Sequence, residues 1–274
     1  VTCVAFFVTS HGFGHASRAC AVGLALNGIV KGIRLELFTG VPEWFFSQSL
    51  DTFGHHRLEC DSGPVQKNAL TTDIAGTLKI LDKELPFSAD RLDPLASTLH
   101  DLHCQLVVCD IAPMGIAAAQ HAGLPCVLIE NFTWDWIYRG YALEHTQMGN
   151  HADYLSSIFA CADLHIQCQP ICSIKPNVVP TSPVSRRFQK EPERVRSQLG
   201  LSPETKMVFI SMGGTPHSLP DLQILARHYS DITFVIAGHY PTRIVPPNIR
   251  LLPINAPVFH PDLIRSANVV IGKV

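Results

Sequence analysis

Residues 1–9 are an almost unbroken apolar, β-branched and aromatic run, and behind them come Ser10-His11-Gly12-Phe13-Gly14-His15 and the Ala-, Leu- and Val-rich stretch 16–30. A strand that is apolar at nearly every position is covered on both faces, the situation of an inner strand of a parallel sheet. Residues 16–30 carry helical spacing and residues 33–38 return to strand composition, so the first forty residues read as a βαβ unit. Such a unit commits the chain to a parallel sheet, with its first strand expected at the centre.

The same alternation continues. Helices are expected over 42–50, 92–102, 114–122 and 152–162, and strands over 106–109, 126–129 and 164–167, which makes one doubly wound domain, residues 1–183. A length of 274 residues suits two domains. The break falls at 176–183, where three prolines and Asn177 interrupt regular structure, followed by the charged stretch 186–196. The rhythm then restarts in a second domain, residues 184–274, with strands at 207–212, 232–237, 249–252 and 268–271 and helices at 219–229 and 262–266. A parallel strand needs a helix to cover it. The last strand has none before Val274, so the second domain is expected to be incomplete at its C-terminus and the natural chain to continue.

Composition narrows the partners. With 46% hydrophobic and 16% charged residues and a formal charge of -2, the chain reads as globular, with no electrostatic case for nucleic acid or an anionic membrane. Nine scattered cysteines lack the paired spacing of a zinc site, so free thiols, no metal and a reducing, cytoplasmic location are expected. There is no apolar run of about 18 residues to span a bilayer, and no basic-then-apolar stretch of the leader kind, so a soluble, unsecreted protein is expected.

The chemistry is expected at the carboxyl ends of the strands, where open α/β sheets bind ligands. In the loop 10–18, Gly12 and Gly14 allow close backbone approach, the following helix offers unpaired N–H groups, and His15 brings an imidazole suited to acid–base work. A glycine-rich connector with solvated histidines is the plainer alternative. A dinucleotide site fits less well: Ser17 stands where its third glycine belongs, and Phe38-Thr39-Gly40 lacks the acidic residue that holds a ribose. Asp110, directly after strand 106–109, reaches the same sheet edge and either orients His15 or caps the next helix. In the second domain Gly213-Gly214-Thr215 lies between strand and helix, as a diphosphate-binding turn or as a plain one.

Gly14-His15 after a first strand, followed by an apolar helix, resembles inverting GT-B glycosyltransferases. A closer resemblance, across nearly the whole chain, is to the glycosyltransferase-like region of plant L-arabinokinases and its stand-alone microbial relatives. It rests on 9–18, 61–66, 131–136, 184–187, Gly213-Gly214 and Ile271-Gly272-Lys273. The resemblance implies two Rossmann-like doubly wound domains of GT-B type. It makes His15 the general base and, more weakly, Asp110 its supporting acid. His11, Gly12, Gly14, Arg18, Asp61, Gln66, Asn131, Trp134 and Asp135 would face the acceptor, although Trp134 and Trp136 equally suit core packing and Asp61, Ser62 and Gln66 equally suit solvent. Gly213, Gly214, Thr215, Gly272 and Lys273 would meet the donor.

The activity implied is a metal-independent, inverting transfer from a nucleotide sugar, the co-substrate in place of any cofactor, to a hydroxyl acceptor. A non-catalytic sugar-nucleotide-binding module and a sugar-nucleotide epimerase remain as alternatives.

Overall fold

A computed structural model of the chain describes residues 2–61, 63–68, 70–214, 221–238 and 245–272. The chain begins with β1 (Cys3–Val8), α1 (Phe13–Ile29), β2 (Arg34–Thr39), α2 (Glu43–Ser47) and β3 (Gly54–Arg57), followed by an antiparallel hairpin of β4 (Gln66–Asn68) and β5 (Thr71–Thr72). Next come α3 (Ile74–Glu84), α4 (Ala89–Asp101), β6 (Leu106–Asp110), α5 (Pro113–Ala122), β7 (Cys126–Glu130), α6 (Trp134–Ala142), α7 (Gln147–Phe159), β8 (Leu164–Cys168) and β9 (Val179–Thr181). The remainder is α8 (Pro192–Gln198), β10 (Lys206–Ser211), α9 (Leu222–His228), β11 (Ile232–Gly238), β12 (Ile249–Pro253), α10 (His260–Ser266) and β13 (Val269–Gly272). Internal contacts divide it into two units, Val1–Val65 with Asp73–Ser185, and Gln66–Thr72 with Arg186–Val274.

The first unit is built on β1. All six of its residues are buried, and because successive side chains of a strand point to opposite faces they serve two cores. Cys3, Ala5 and Phe7 pack with α5 and α7 on one side, while Val4, Phe6 and Val8 pack with α1 and α2 on the other. The parallel sheet runs β3-β2-β1-β6-β7-β8-β9, so β1 is an inner strand but the middle place belongs to β6. Phe7 stacks on Phe38 of β2 at 4.6 Å between ring centroids. Burying each such ring contributes about 1.5–3 kcal/mol.

The second unit carries a parallel sheet of order β12-β11-β10-β13, with Met207, Phe209, Val235 and Leu263 in one core and Val208, Ile210, Phe234 and Ile236 in another. The edge strand β13 leaves Val269, Val270 and Ile271 about half exposed.

Several elements differ from the sequence expectation. Residues 179–181, inside the proline-rich break, form β9, which pairs with β8 as the last strand of the sheet. Pro180 is tolerated there because an edge strand does not need every N–H for the ladder. Helices α3, α6 and α8 lie where no helix was expected, and α7 starts five residues before the expected 152. Of the expected helix 219–229, residues 219 and 220 lie outside the described residues; the described part is α9, capped by Asp221 through the Gln223 and Ile224 N–H groups.

The distance between sheet and helix at β6 depends on Gly115 in α5. A Cβ at this position would lie 2.5 Å from Phe7 Cβ and 2.7 Å from Cys109 Sγ, and neither neighbour has room to retreat in a close-packed core. Gly115→Ala is expected to lower stability by about 1–3 kcal/mol, the usual cost of overpacking, as read by denaturant unfolding. An unchanged midpoint would show that α5 can shift without cost.

Candidate functional site

The site grows from the register of β1 against β6. Val8 is paired with Asp110, so the loop that follows β1 and the last residue of β6 emerge side by side at the carboxyl edge of the sheet. Thr9 N–H donates to the Asp110 carbonyl at 3.3 Å. Gly12, at φ 85°, makes the turn into α1, which places His15 in the first helical turn and Arg18 three residues later. Residues at i and i+3 share a helix face, and both side chains reach Asp110.

The three groups form one buried cluster. His15 Nδ1 lies 2.8 Å from Asp110 Oδ1. Arg18 grips both carboxylate oxygens, Nε to Oδ2 at 2.7 Å and a terminal nitrogen to Oδ1 at 2.6 Å. Its other terminal nitrogen donates to Asn131 Oδ1 at 3.0 Å. Relative exposures of 9%, 9% and 2% for His15, Arg18 and Asp110 mean that water competes little for these bonds. Burial by itself would raise the Asp110 carboxyl, but the Arg18 charge and the hydrogen bonds from His15 and Arg18 outweigh it and hold the carboxyl below its usual value. Ile111, immediately after Asp110, has φ 43°. A β-branched residue in the left-handed region is strained, and such strain concentrates where a side chain must be aimed.

Trp134, at the start of α6, is the hub of the neighbouring wall. It is 2% exposed, and its ring meets His11 edge-on at 5.2 Å, Phe132 at 5.3 Å and His15 at 6.4 Å. Its indole N–H donates to Asp61 Oδ2. Burial raises the Asp61 carboxyl to about 6, against the hydrogen bonds from Thr9 and Trp134 and the pull of His15. Gly63 lets this wall close: a Cβ there would stand 2.9 Å from the His11 ring and 3.1 Å from Trp134.

Ser10, His11, Asp61, Gly63 and Trp134 line a cavity of about 370 Å³. Its opposite wall is apolar, with Leu81, Leu85, Phe87, Met114 and Leu155, and its charged groups are Glu59, Asp61, Glu84 and Arg91. Arg91 is ion-paired to Glu84. The cavity therefore carries an acidic excess beside an apolar wall, suited to an uncharged or cationic molecule with an apolar body.

Of the other sequence-derived residues, Gly14 faces open space. Asp135 is buried, with Oδ1 unpartnered among the described residues. Trp136 is 42% exposed and lines neither core nor cavity. Gln66 lies in β4 and belongs to the second unit. Gly213 and Gly214 follow β10 with φ 63° and 89°, and Gly272 ends β13. Ser62, Thr215 and Lys273 lie outside the described residues. The sequence reading took Thr9 only as the start of the loop 9–18 and did not include Glu59 or a cavity wall from α3 and α4, although Asp73 before the amphipathic stretch 74–84 is a helix-start signal. It also did not include the second unit's Ser211–His260 hydrogen bond of 2.9 Å. Among the described residues, no group of three or more His, Cys, Asp or Glu is placed to hold a metal ion, all nine cysteines are free, and no helix is long and apolar enough to cross a membrane.

Doubly wound parallel sheets of this kind define the GT-B fold, and solved glycosyltransferases share it. The glycotransferase of kitacinnamycin superposes with a TM-score of 0.64 at 13% identity, over 98% of this chain and 74% of that one. Arabidopsis thaliana UGT89C1, complexed with quercetin, gives 0.57 at 12% identity over 98% and 73%. Medicago truncatula UGT71G1, complexed with UDP-glucose, gives 0.53 at 13% identity over 91% and 71%. At these identities the likeness is one of fold. In sequence, the chain is similar to the L-arabinokinase of Arabidopsis thaliana, 28% identical over 284 residues, which cover 98% of this chain and 26% of that protein. The chain thus spans about a quarter of the length of the curated relative it matches. No family model matches it.

The raised Asp61 carboxyl has a direct consequence for stability. The unfolded chain releases this proton near 3.8 and the folded chain near 6, so between those values the folded state binds more protons and loses stability as pH rises. Asp61→Asn removes that cost. The variant is expected to unfold at a higher temperature than the unsubstituted protein at pH 8, with the gain disappearing near pH 4. A variant less stable at pH 8 than at pH 4, relative to the unsubstituted protein, would contradict the assignment.

Proposed function

We propose that the chain carries acceptor-side and donor-side residues of a metal-independent, inverting glycosyltransferase. The observation that carries this reading is the His15–Asp110 contact at the carboxyl edge of the first sheet, beside a cavity whose polar wall is shared through Trp134.

With Nδ1 protonated and donating to Asp110, the imidazole presents the Nε2 lone pair, which has no partner among the described residues. An acceptor hydroxyl gives its proton to Nε2 as its oxygen bonds to the anomeric carbon of the donor. The bond from that carbon to the diphosphate oxygen breaks, and a nucleoside diphosphate leaves with the electron pair. Attack opposite the leaving group inverts the configuration. Buried Asp110 stabilises the imidazolium that forms. The acceptor fitting the cavity is uncharged or cationic with an apolar portion, and sugar phosphates are excluded by Glu59 and Asp61. Gly213 and Gly214, with positive φ after β10, are the donor-diphosphate candidates of the second unit. Thr215, Gly272 and Lys273 join them in the proposal, as do His11, Asn131 and Trp134 on the acceptor side.

A second reading, a sugar-nucleotide-binding module without turnover, is favoured by the match to 26% of a protein named for a kinase activity. The two readings separate when the chain is incubated with a panel of nucleotide sugars and uncharged, cationic and phosphorylated hydroxyl compounds. Acceptor-dependent release of nucleoside diphosphate is expected, with product of inverted anomeric configuration. His15→Ala should lower that turnover by about 10²-fold or more with donor affinity nearly unchanged, and Asp110→Asn should act in the same direction. Donor binding without release would leave the module reading, a new sugar nucleotide formed without acceptor would indicate an epimerase, and turnover that survives His15→Ala would end the proposed mechanism.

A further inference from the structure

A buried carboxylate hydrogen-bonded to an imidazole normally draws a proton onto the ring, because the pair is then charge-balanced. An imidazole charged in that way has no lone pair with which to accept a proton. The surroundings of His15 differ from that simple pair in one respect. Arg18 already supplies the balancing charge, through two hydrogen bonds of 2.7 and 2.6 Å to Asp110, and one of its terminal nitrogens stands 3.3 Å from His15 Nδ1.

We propose that Arg18 is a positioning residue which keeps His15 neutral by occupying the charge balance of Asp110, so that the ring is available as a base at neutral pH. Two features of the geometry support this. The guanidinium and the imidazole meet the same oxygen, Oδ1, so an imidazolium there would face a fixed cation at contact distance. The same arrangement selects the tautomer: an Nδ1 lone pair would point at a carboxylate oxygen 2.8 Å away, whereas an Nδ1–H donates to it and leaves Nε2 bare.

The other charged groups do not replace Arg18. Asp61, on the segment before Gly63, acts on His15 in the sense that favours the imidazolium. Glu130 of β7 acts on Arg18, helping to hold the guanidinium charged, while burial raises the Cys168 thiol of β8 and keeps it neutral. The rings of Phe132 and Trp134 that flank His15 carry no charge. Arg18 is therefore the cation that sets the balance, and Asn131 fixes it from the side.

The inference rests on the base role of His15, but its test reads the ring itself and needs no substrate. The imidazole of His15 is titrated in the whole chain by its Cε1–H NMR signal, assigned by comparison with His15→Ala. Arg18→Gln keeps an amide donor near Asp110 and removes the charge. The His15 midpoint is expected to rise by about one pH unit or more, tenfold in proton affinity. Arg18→Lys keeps a charge without the two-point grip, and the midpoint is expected to stay within a few tenths of a unit. A purely structural role would move both variants alike. An unchanged or lowered midpoint in folded Arg18→Gln overturns the proposal. Should that variant fail to fold, a rise of more than a unit in Arg18→Lys overturns it equally, because the charge is still there.

Discussion

The carboxylate of Asp110 is the group on which the rest of the first unit depends. A charge with 2% exposure is tolerated inside a protein only when it is paired and hydrogen-bonded, and both partners come from a single helix. That requires α1 to begin where it does, one glycine turn after β1, so that His15 and Arg18 fall on the same face. It requires β6 to lie directly beside β1, as the Val8–Asp110 register provides. It also requires α5 to sit close beneath, a spacing that Gly115 sets.

The neighbouring cavity is attached to this cluster by aromatic packing. Trp134 touches His15 on one edge and holds Asp61 by its indole N–H. His15 and the cavity wall are thus parts of one packed array, in which a displaced Trp134 moves both. Asp61 is held there at a cost to stability, since its burial disfavours the charged form that neutral pH imposes. Such costs are typical of groups kept for what they bind rather than for what they stabilise.

The sequence made the centre of this array legible and its periphery less so. Gly12, His15 and Asp110 were visible because each sits at the junction of a strongly patterned element with a loop, and parallel sheets bring such junctions together at one edge. Arg18 was visible as a residue, but its direction was not. A cation one turn into a helix that follows a glycine-rich loop reads as ligand-facing, and only the register of β1 and β6 shows that it turns inward to Asp110. Helix α4 was expected, over 92–102, but α3 and α6 were missed for a different reason. The aromatic-rich start of α6 departs from simple helical composition, and tertiary packing, which a local pattern does not contain, decides such segments. β9 was missed because Pro180 argues against a strand everywhere except at an edge.

The central claim is that His15 stands neutral, with its proton on Nδ1 toward Asp110 and its lone pair on Nε2. Nitrogen-15 NMR of the imidazole at neutral pH distinguishes the three protonation states directly, because protonated and bare ring nitrogens resonate far apart. The account predicts a protonated Nδ1 and an unprotonated Nε2 in the unliganded chain. A doubly protonated ring, or the opposite tautomer with the proton on Nε2, would contradict it.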